Sequence, residues 1–201
     1  MSLPPLILAS ASPRRCDLLR QMGLDFTVVP ARTPEPQPEH FTPAEICQLN
    51  AHRKARAVAK KHPDALVLGA DTLVCLDNKI YGKPRSLDEA EDMLLELQGQ
   101  EHHVITGVSL IGLRSHRERI FAVITRVTFH PLTLDQVRAY LARIDPLDKA
   151  GAYAVQQHGE LIVERIEGSF TNVVGLPVER LREELAAWRA GAGGAAEAQN
   201  P

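Results

Sequence analysis

Hydrophobic residues along the chain fall into two patterns, short continuous runs and stretches with helical spacing. The first run, residues 6–9, is followed by small polar residues and then by apolar residues spaced three to four apart, which predicts a strand, a turn and a helix. Ser12 is a favourable N-cap, and Pro13 suits the first helical position because its missing N–H would have no partner there. Gly23 is typical of the residue that follows a helix.

The same patterns predict the remaining elements. Five prolines between residues 30 and 43 predict a loop. Thr42, Ser86 and Thr133 are each followed three residues later by Glu or Gln, which is the pattern that begins a helix. Further helices are expected over residues 43–61, 86–99, 133–144 and 177–188, and further strands over residues 24–30, 65–76, 79–81, 103–113, 120–129 and 161–166.

These elements predict a single α/β domain over residues 1–190, with a mixed central sheet flanked by helices. Neither internal repeats nor a linker divides this region. Residues 191–201 are rich in Gly and Ala and offer little with which to build a core. We expect them to form a disordered tail.

Composition and charge disfavour several classes of partner. Of the 201 residues, 44% are hydrophobic and 24% are charged, as in ordinary globular proteins. A net charge of −2 and an aromatic content of 4% are unlike those of proteins that bind nucleic acid or anionic membranes. No apolar run has the length of a membrane span, and the first run lacks the preceding charges of a signal peptide. We therefore expect a cytoplasmic protein that binds neither nucleic acid nor membranes.

The cysteines indicate no covalent or metal framework. Cys16, Cys47 and Cys75 are odd in number, widely spaced and without a C-x-x-C pair. This arrangement predicts neither a disulfide scaffold nor a zinc site. Reduced and mostly buried thiols are the expected state.

The start of the first helix has the chemistry of an anion site. Arg14 and Arg15 lie in the first helical turn, where the helix dipole favours negative charge over positive charge. Together with the hydroxyl groups of Ser10 and Ser12 and with free backbone N–H groups, they would suit a phosphate. The alternative is that both arginines are solvated and that Ser12 only caps the helix.

Five other residues are candidates for chemistry. Asp71 interrupts an apolar run that should be buried, where a carboxylate is costly unless it is paired or bound to a metal; alternatively, it caps a turn. Lys54 lies on the inner stripe of its helix, and Lys83 lies between glycine and proline, but either lysine also suits a solvated position. Glu35 lies in the proline-rich loop, and Gln156 either contacts a base or ends a strand.

Common nucleotide and hydrolase signatures are absent from the sequence. It contains no P-loop, no G-x-G-x-x-G fingerprint and no G-x-S-x-G elbow. The candidates are instead carboxylates, several cations and a serine-lined helix start. Carboxylates with Mg²⁺ and an array of Arg and Lys side chains suit a polyphosphate. The set favours phosphate-ester or phosphoanhydride chemistry.

Six segments resemble, in order, the successive motifs of the Maf family of nucleoside triphosphate pyrophosphatases. They are LILASASPRRCDLL, GADTLV, IYGKP, HHVITGVSLIG, DKAGAYAVQ and GSFTNVVGLP, and together they span residues 6–178. The resemblance implies hydrolysis of a nucleoside triphosphate between its α and β phosphorus atoms, with a divalent cation such as Mg²⁺ or Mn²⁺. It also implies the fold of the inosine triphosphate pyrophosphatases, with two lobes and a cleft, and a homodimer, which is common in the family.

The resemblance also implies a role for each candidate residue. Asp71 would be the catalytic proton acceptor and, with Glu35, would bind the metal. The substrate-binding residues would be Ser10, Ser12, Arg14, Arg15, Lys54, Thr72, Lys83 and Gln156.

Three positions implied by the resemblance concern the base. At these positions this sequence has Thr72 directly after Asp71, together with Arg14 and Gln156, and so it resembles the branch that hydrolyses dTTP and UTP. The 7-methyl-GTP branch carries Gln after the catalytic Asp. Asn50 stands where the family usually has an aliphatic residue. A 7-methyl-GTP pyrophosphatase remains one alternative, and a nucleotide-sensing interaction protein linked to cell division remains another.

Overall fold

A seven-stranded sheet organises the described part of the computed structural model, which comprises residues 3–194. Its strands are β1 (Leu6–Leu8), β2 (Phe26–Val28), β3 (Leu66–Leu76), β4 (Lys79–Tyr81), β5 (Glu101–Gly112), β6 (Arg117–Phe129) and β7 (Val163–Glu167). The α-helices are α1 (Pro13–Gln21), α2 (Pro43–Ala59), α3 (Leu87–Leu97), α4 (Leu134–Leu141), α5 (Phe170–Val174) and α6 (Val178–Gly194). Two short 3₁₀ helices, Ala150–Ala152 and Gly159–Leu161, lie between α4 and β7.

The sheet is mixed and flanked by helices, which confirms the predicted fold class. Its strand order is β2-β1-β3-β5-β6-β7, and β4 pairs with β3. β1 is parallel to β2 and β3, whereas β3, β5, β6 and β7 pair antiparallel. Alternate residues of β3 point to opposite faces. One face packs against α2, and the other shares a hydrophobic core with α1 and α6.

One edge of β3 is interrupted in its middle. β5 pairs with β3 from residue 66 to residue 75 and occupies one edge. β1 pairs with residues 66–68, and β4 pairs with residues 74–76, both on the other edge. Among the described strands, none pairs with residues 69–73 on that edge. Other groups must satisfy the exposed backbone there.

Two glycines let α2 lie very close to the sheet. A Cβ atom on Gly69 would lie 2.3 Å from the carbonyl oxygen of Ala51, and one on Gly107 would lie 2.3 Å from the carbonyl carbon of Cys47. Gly107 is also the direct cross-strand partner of Asp71. The close approach therefore places the inner face of α2 against the Asp71 side chain.

Two hydrophobic cores lie at opposite ends of the long strands β5 and β6. Val108 and Phe121 belong to the first core, with side chains from α1 and α6. Val104 and Val127 belong to the second core, with side chains from α3 and α4. These cores form the two expected lobes.

The four helix N-caps predicted from the sequence are all at the expected positions, but they differ in the hydrogen bonds they make. Thr42 and Thr133 form complete capping boxes. Ser86 accepts from the backbone N–H of Glu89, but the Glu89 carboxylate accepts from Arg85 instead of closing the box. Ser12 is at the N-cap position of α1, yet its side chain makes no capping hydrogen bond.

One helix was not predicted from the sequence, and another is longer than predicted. The five-residue helix α5 is too short to show helical periodicity, so the sequence pattern missed it. Helix α6 continues to Gly194 and so includes residues 191–194 of the segment expected to be a disordered tail. The remainder of that segment, residues 195–201, lies outside the described residues.

Cys16, Cys47 and Cys75 are free and buried, as predicted. None of the helices described in residues 3–194 has the length and apolar character needed to span a membrane.

Candidate active site

A cavity of about 580 Å³ opens beside the interrupted edge of β3 and between the two lobes. All ten site residues predicted from the sequence line it: Ser10, Ser12, Arg14, Arg15, Glu35, Lys54, Asp71, Thr72, Lys83 and Gln156. They come from the turn between β1 and α1, from α1, the proline-rich loop, α2, β3, the segment after β4 and the turn after the first 3₁₀ helix. The fold thus brings together residues that are far apart in the sequence.

Asp71 is a buried carboxylate held by two residues of α2. Its side chain is 6% exposed, and Nζ of Lys54 lies 2.7 Å from Oδ1. Nδ2 of Asn50 donates a hydrogen bond to Oδ2 at 3.2 Å. Because these two α2 residues are four apart, they share one helical face. Asp71 lies inside β3, so the alternative that it caps a turn is wrong.

Lys54 joins two carboxylates. Its side chain is 11% exposed, and Nζ lies 2.8 Å from Oε1 of Glu35 as well as 2.7 Å from Asp71. Glu35 belongs to the proline-rich loop and remains largely exposed. The lysine is therefore directed into the site and not into solvent. Two acids, one buried and one accessible, converge on its ammonium group.

The same two carboxylates are the candidate metal ligands. In nucleotide-hydrolysing enzymes, Mg²⁺ is bound by one or two carboxylates and completes its shell with substrate phosphates and water. Glu35 and Asp71 converge on one cationic group, so their positions fit such a pair. Residues 3–194 contain no cluster of three or more His, Cys, Asp or Glu side chains arranged around a metal position. Two carboxylates fit a cation that completes its shell with phosphate and water oxygens.

Arg15 is built into the interrupted edge of β3. Nε donates to the carbonyl oxygen of Gly175 at 2.8 Å, and Nη1 donates to that of Ala70 at 3.0 Å. Nη1 also donates to Oγ of Ser10 at 3.1 Å, and Nη2 donates to Oγ1 of Thr72 at 2.9 Å. Four hydrogen bonds to protein use most of its five N–H groups. Burial lowers the pKa of the guanidinium. Because four of its hydrogen bonds go to the protein, Arg15 acts as a scaffold as much as a ligand.

The N-terminus of α1 faces the cavity. Oγ of Ser10 accepts hydrogen bonds from the backbone N–H of Ser12 at 3.2 Å and from Arg15 at 3.1 Å. Its own proton is therefore available for a ligand, and the Ser12 hydroxyl is not used in capping. Backbone N–H groups and the helix dipole at this position attract anions. The geometry suits phosphate oxygens.

Arg14 has a partner that the sequence did not reveal. Nη1 lies 3.3 Å from Oδ2 of Asp148, whose Oδ1 accepts a hydrogen bond from Lys149 at 2.6 Å. Burial raises the pKa of the Asp148 carboxyl, but the hydrogen bond from Lys149 and the charges of Arg14 and Lys83 lower it overall. The carboxylate thus sits among three cations at the cavity wall.

Cys47, one turn before Ala51 on α2, is not a nucleophile. Sγ donates to the carbonyl oxygen of Ile105 at 3.3 Å. Burial, aided by the nearby Asp71 charge, raises the pKa of the thiol to about 12. The group is a neutral thiol at physiological pH.

The motifs around this cavity are shared by a known family. A family model described as Maf-like protein matches residues 5–188. The chain belongs to the Maf family. A Moorella thermoacetica relative is 49% identical over 181 residues, covering 90% of this chain and 93% of that protein. Relatives from Pelotomaculum thermopropionicum and Akkermansia muciniphila are 46% and 45% identical, over 90% and 88% of this chain and 94% and 92% of theirs.

These three relatives are each named dTTP/UTP pyrophosphatase. Among solved structures, a HAM1 protein from Coxiella burnetii is similar with a TM-score of 0.41 and 11% identity. That match covers 63% of this chain and 73% of the other chain.

The remaining Maf positions lie around the cavity mouth. Lys83 and Gln156 are exposed there. Thr72 lies deeper, and its Oγ1 is 2.9 Å from Oγ1 of the buried Thr106. Apolar side chains, including Val104 and Tyr153, form part of the wall.

Sequence reasoning missed four residues of this Maf site. Asp148 and Lys149 lie in the quoted motif DKAGAYAVQ, but charged residues in a loop carry no specific signal. The sequence shows that Asn50 is polar where the family usually has an aliphatic residue, but it does not indicate that Asn50 contacts Asp71. Thr106 sits in a β-favouring run, where threonine is ordinary.

Proposed function

We propose that this Maf protein hydrolyses dTTP and UTP to the nucleoside monophosphate and pyrophosphate. The observation that carries the proposal is the buried carboxylate of Asp71 in the wall of a cavity to which several cations and the N-terminus of α1 also contribute. The names of the relatives support the choice of nucleotides. Metal dependence, the compartment and the oligomeric state are parts of the same proposal.

The cations of the cavity would bind the triphosphate. Arg14, Lys83 and Lys149 reach the cavity from three different segments. The hydroxyl groups of Ser10 and Ser12 and the start of α1 offer hydrogen bonds to phosphate oxygens. Hydrolysis increases the charge on the leaving pyrophosphate, and preorganised cations stabilise that change.

A divalent cation would be held by Asp71 and Glu35 together with the phosphates. When bound, Mg²⁺ or Mn²⁺ neutralises phosphate charge and lowers the pKa of coordinated water. Lys54 contacts both carboxylates and would keep them oriented toward one point. A cation that arrives with the nucleotide agrees with the small number of protein ligands.

Asp71 would act as the proton acceptor. Its position in the middle of a rigid strand, with a partner on each oxygen, fixes the carboxylate relative to the phosphates. The water oxygen attacks the α phosphorus, the bond from that phosphorus to the oxygen bridging it to the β phosphorus breaks, and the water proton passes to Asp71. The pyrophosphate carries away the electron pair of the broken bond.

We also propose that the protein is cytoplasmic and acts as a homodimer. Three free buried thiols fit a reducing compartment. The dimer rests on the family resemblance. Light scattering in solution would give a mass twice that of the 22.1 kDa chain if the proposal is right, and the mass of one chain if it is wrong.

The test of the function is pyrophosphate release from a panel of nucleoside triphosphates, with Mg²⁺, with Mn²⁺ and with a chelator. We expect metal-dependent release from UTP and dTTP well ahead of CTP, ATP and GTP, with little effect of the 5-methyl group. If release is fastest from 7-methyl-GTP, the protein is instead a member of the 7-methyl-GTP pyrophosphatase branch. Tight nucleotide binding without any release would favour a sensing protein.

A further inference from the structure

A directed chain of hydrogen bonds runs from Arg15 to α5 through two threonines. Nη2 of Arg15 donates to Oγ1 of Thr72 at 2.9 Å. Oγ1 of Thr72 lies 2.9 Å from Oγ1 of Thr106, and Oγ1 of Thr106 donates to the carbonyl oxygen of Asn172 at 3.1 Å. Thr106 and Asn172 are fully buried, whereas Thr72 is partly exposed to the cavity.

The two ends of the chain fix the direction of every proton in it. A guanidinium only donates, and a carbonyl oxygen only accepts. Thr106 gives its single hydroxyl proton to Asn172, so it can only accept from Thr72. The Thr72 proton is therefore directed into the protein, toward Thr106. Bonds aligned in this way polarise one another and resist reversal.

The consequence is that Thr72 has no proton left for a ligand. A threonine hydroxyl has one proton and two lone pairs. One lone pair accepts from Arg15, and the proton goes to Thr106. Toward the cavity Thr72 offers one lone pair only, so it behaves as a hydrogen-bond acceptor.

We propose that Thr106 is a specificity-determining residue, because it locks Thr72 as an acceptor that selects a base with an N–H at position 3. This inference rests on the proposed function. Uracil and thymine carry an N3–H, whereas cytosine has a lone pair at N3. A cytosine in the same pose places two acceptors against each other, and a buried polar group without a partner is strongly disfavoured. The 5-methyl group lies away from this edge, so dTTP and UTP are treated alike.

Thr106 is a positioning residue here, since it acts through Thr72. Replacing it with valine removes the acceptor of the Thr72 proton and keeps the branched shape. Asn172 keeps a donor, because the backbone N–H of Gly175 also bonds its carbonyl oxygen at 3.0 Å. In Thr106→Val the Thr72 hydroxyl is free to rotate and to donate to N3 of cytosine.

The experiment compares kcat/KM for UTP and CTP in the wild type, Thr106→Val and Thr106→Ser. We expect Thr106→Val to lower the UTP-to-CTP ratio at least tenfold, mainly through faster CTP hydrolysis, and Thr106→Ser, which keeps the hydroxyl, to retain the wild-type ratio. In a Thr72→Val background, Thr106→Val should change the ratio less than twofold. An unchanged ratio in folded Thr106→Val overturns the proposal.

A second measurement uses the wild-type protein and does not depend on how any variant folds. N3-methyl-UTP lacks the N3–H and should lose at least 100-fold in kcat/KM, whereas 5-methyl-UTP should stay within threefold of UTP. Hydrolysis of N3-methyl-UTP within threefold of UTP overturns the proposal. If the wild type releases no pyrophosphate from UTP at all, the proposed function itself fails, which is a different outcome from an unmoved ratio.

Discussion

The ammonium group of Lys54 lies 2.7 Å from Oδ1 of Asp71, and both side chains are almost completely buried. A buried carboxylate and a buried ammonium group each carry a large desolvation cost, which their mutual attraction offsets. The pair is therefore part of the fold as well as part of the site. The approach of α2 to Gly69 and Gly107 makes this contact possible.

Removing the lysine should destabilise the protein as well as inactivate it. In Lys54→Ala the Asp71 charge loses its closest cation, and we expect a loss of about 3–5 kcal/mol in the free energy of unfolding. Lys79→Ala is the matched control, because Lys79 pairs with Glu96 at the surface and its side chain is 60% exposed. It should change stability by about 1 kcal/mol or less. Urea unfolding of both variants checks this, and equal small effects would contradict it.

The adjacent arginines should separate into two roles. Arg14→Ala should lower kcat/KM on UTP by an amount equivalent to about 2–4 kcal/mol of transition-state stabilisation. Stability should change little, because Asp148, its partner among the described residues, is itself half exposed. Arg15→Ala leaves the carbonyl groups of Ala70 and Gly175 without a donor, so its free energy of unfolding should fall by about 3 kcal/mol. Steady-state kinetics and denaturant unfolding on the same preparations compare the two. The account is wrong if Arg14→Ala proves the less stable variant.

The sequence predicted most of the elements because capping residues and apolar periodicity are local signals. Among the candidate site residues Asp71 left such a signal, whereas Thr72 was assigned by the family resemblance alone. Asp71 is a charged residue within an apolar run, and the capping-box patterns at Thr42 and Thr133 predict the start of their helices. Short α5 left no periodic signal. The interrupted edge of β3 and the chain from Arg15 to Thr106 join segments far apart in sequence, and only the three-dimensional pairing shows them.

Stability should fall below neutral pH because of one buried histidine. His102 is fully buried, with Nε2 3.0 Å from the Tyr153 hydroxyl, and burial lowers its pKa from 6.5 to about 4. Between pH 6.5 and pH 4 the unfolded chain binds the proton and the folded protein does not. The free energy of unfolding is therefore unaffected by His102 above about pH 6.5, and it decreases by up to about 3 kcal/mol as the pH falls toward 4.

The measurement is the free energy of unfolding between pH 7 and pH 4 for the wild type and His102→Gln. Glutamine keeps a hydrogen-bonding group near Tyr153 but cannot titrate. The wild type should lose up to about 3 kcal/mol more than the variant over this range. Parallel profiles would show that His102 does not carry the effect.

Gln156 should affect selectivity more than rate. It is exposed at the cavity mouth, where its amide can both donate to and accept from a base edge. Gln156→Ala should lower the preference for UTP over CTP, ATP and GTP by a larger factor than it lowers kcat on UTP. The neighbouring Gln157→Ala serves as the control. A uniform decrease over all nucleotides would instead give Gln156 a general binding role.

The most direct test of the central claim is the rate of pyrophosphate release from UTP by the wild type and by Asp71→Asn, at saturating nucleotide and Mg²⁺. Asparagine keeps the size of the side chain and removes its ability to accept the proton. The account predicts that turnover falls by about 10²–10⁴-fold, while UTP binding persists in a titration of the folded variant. Turnover within a few-fold of the wild type would contradict it.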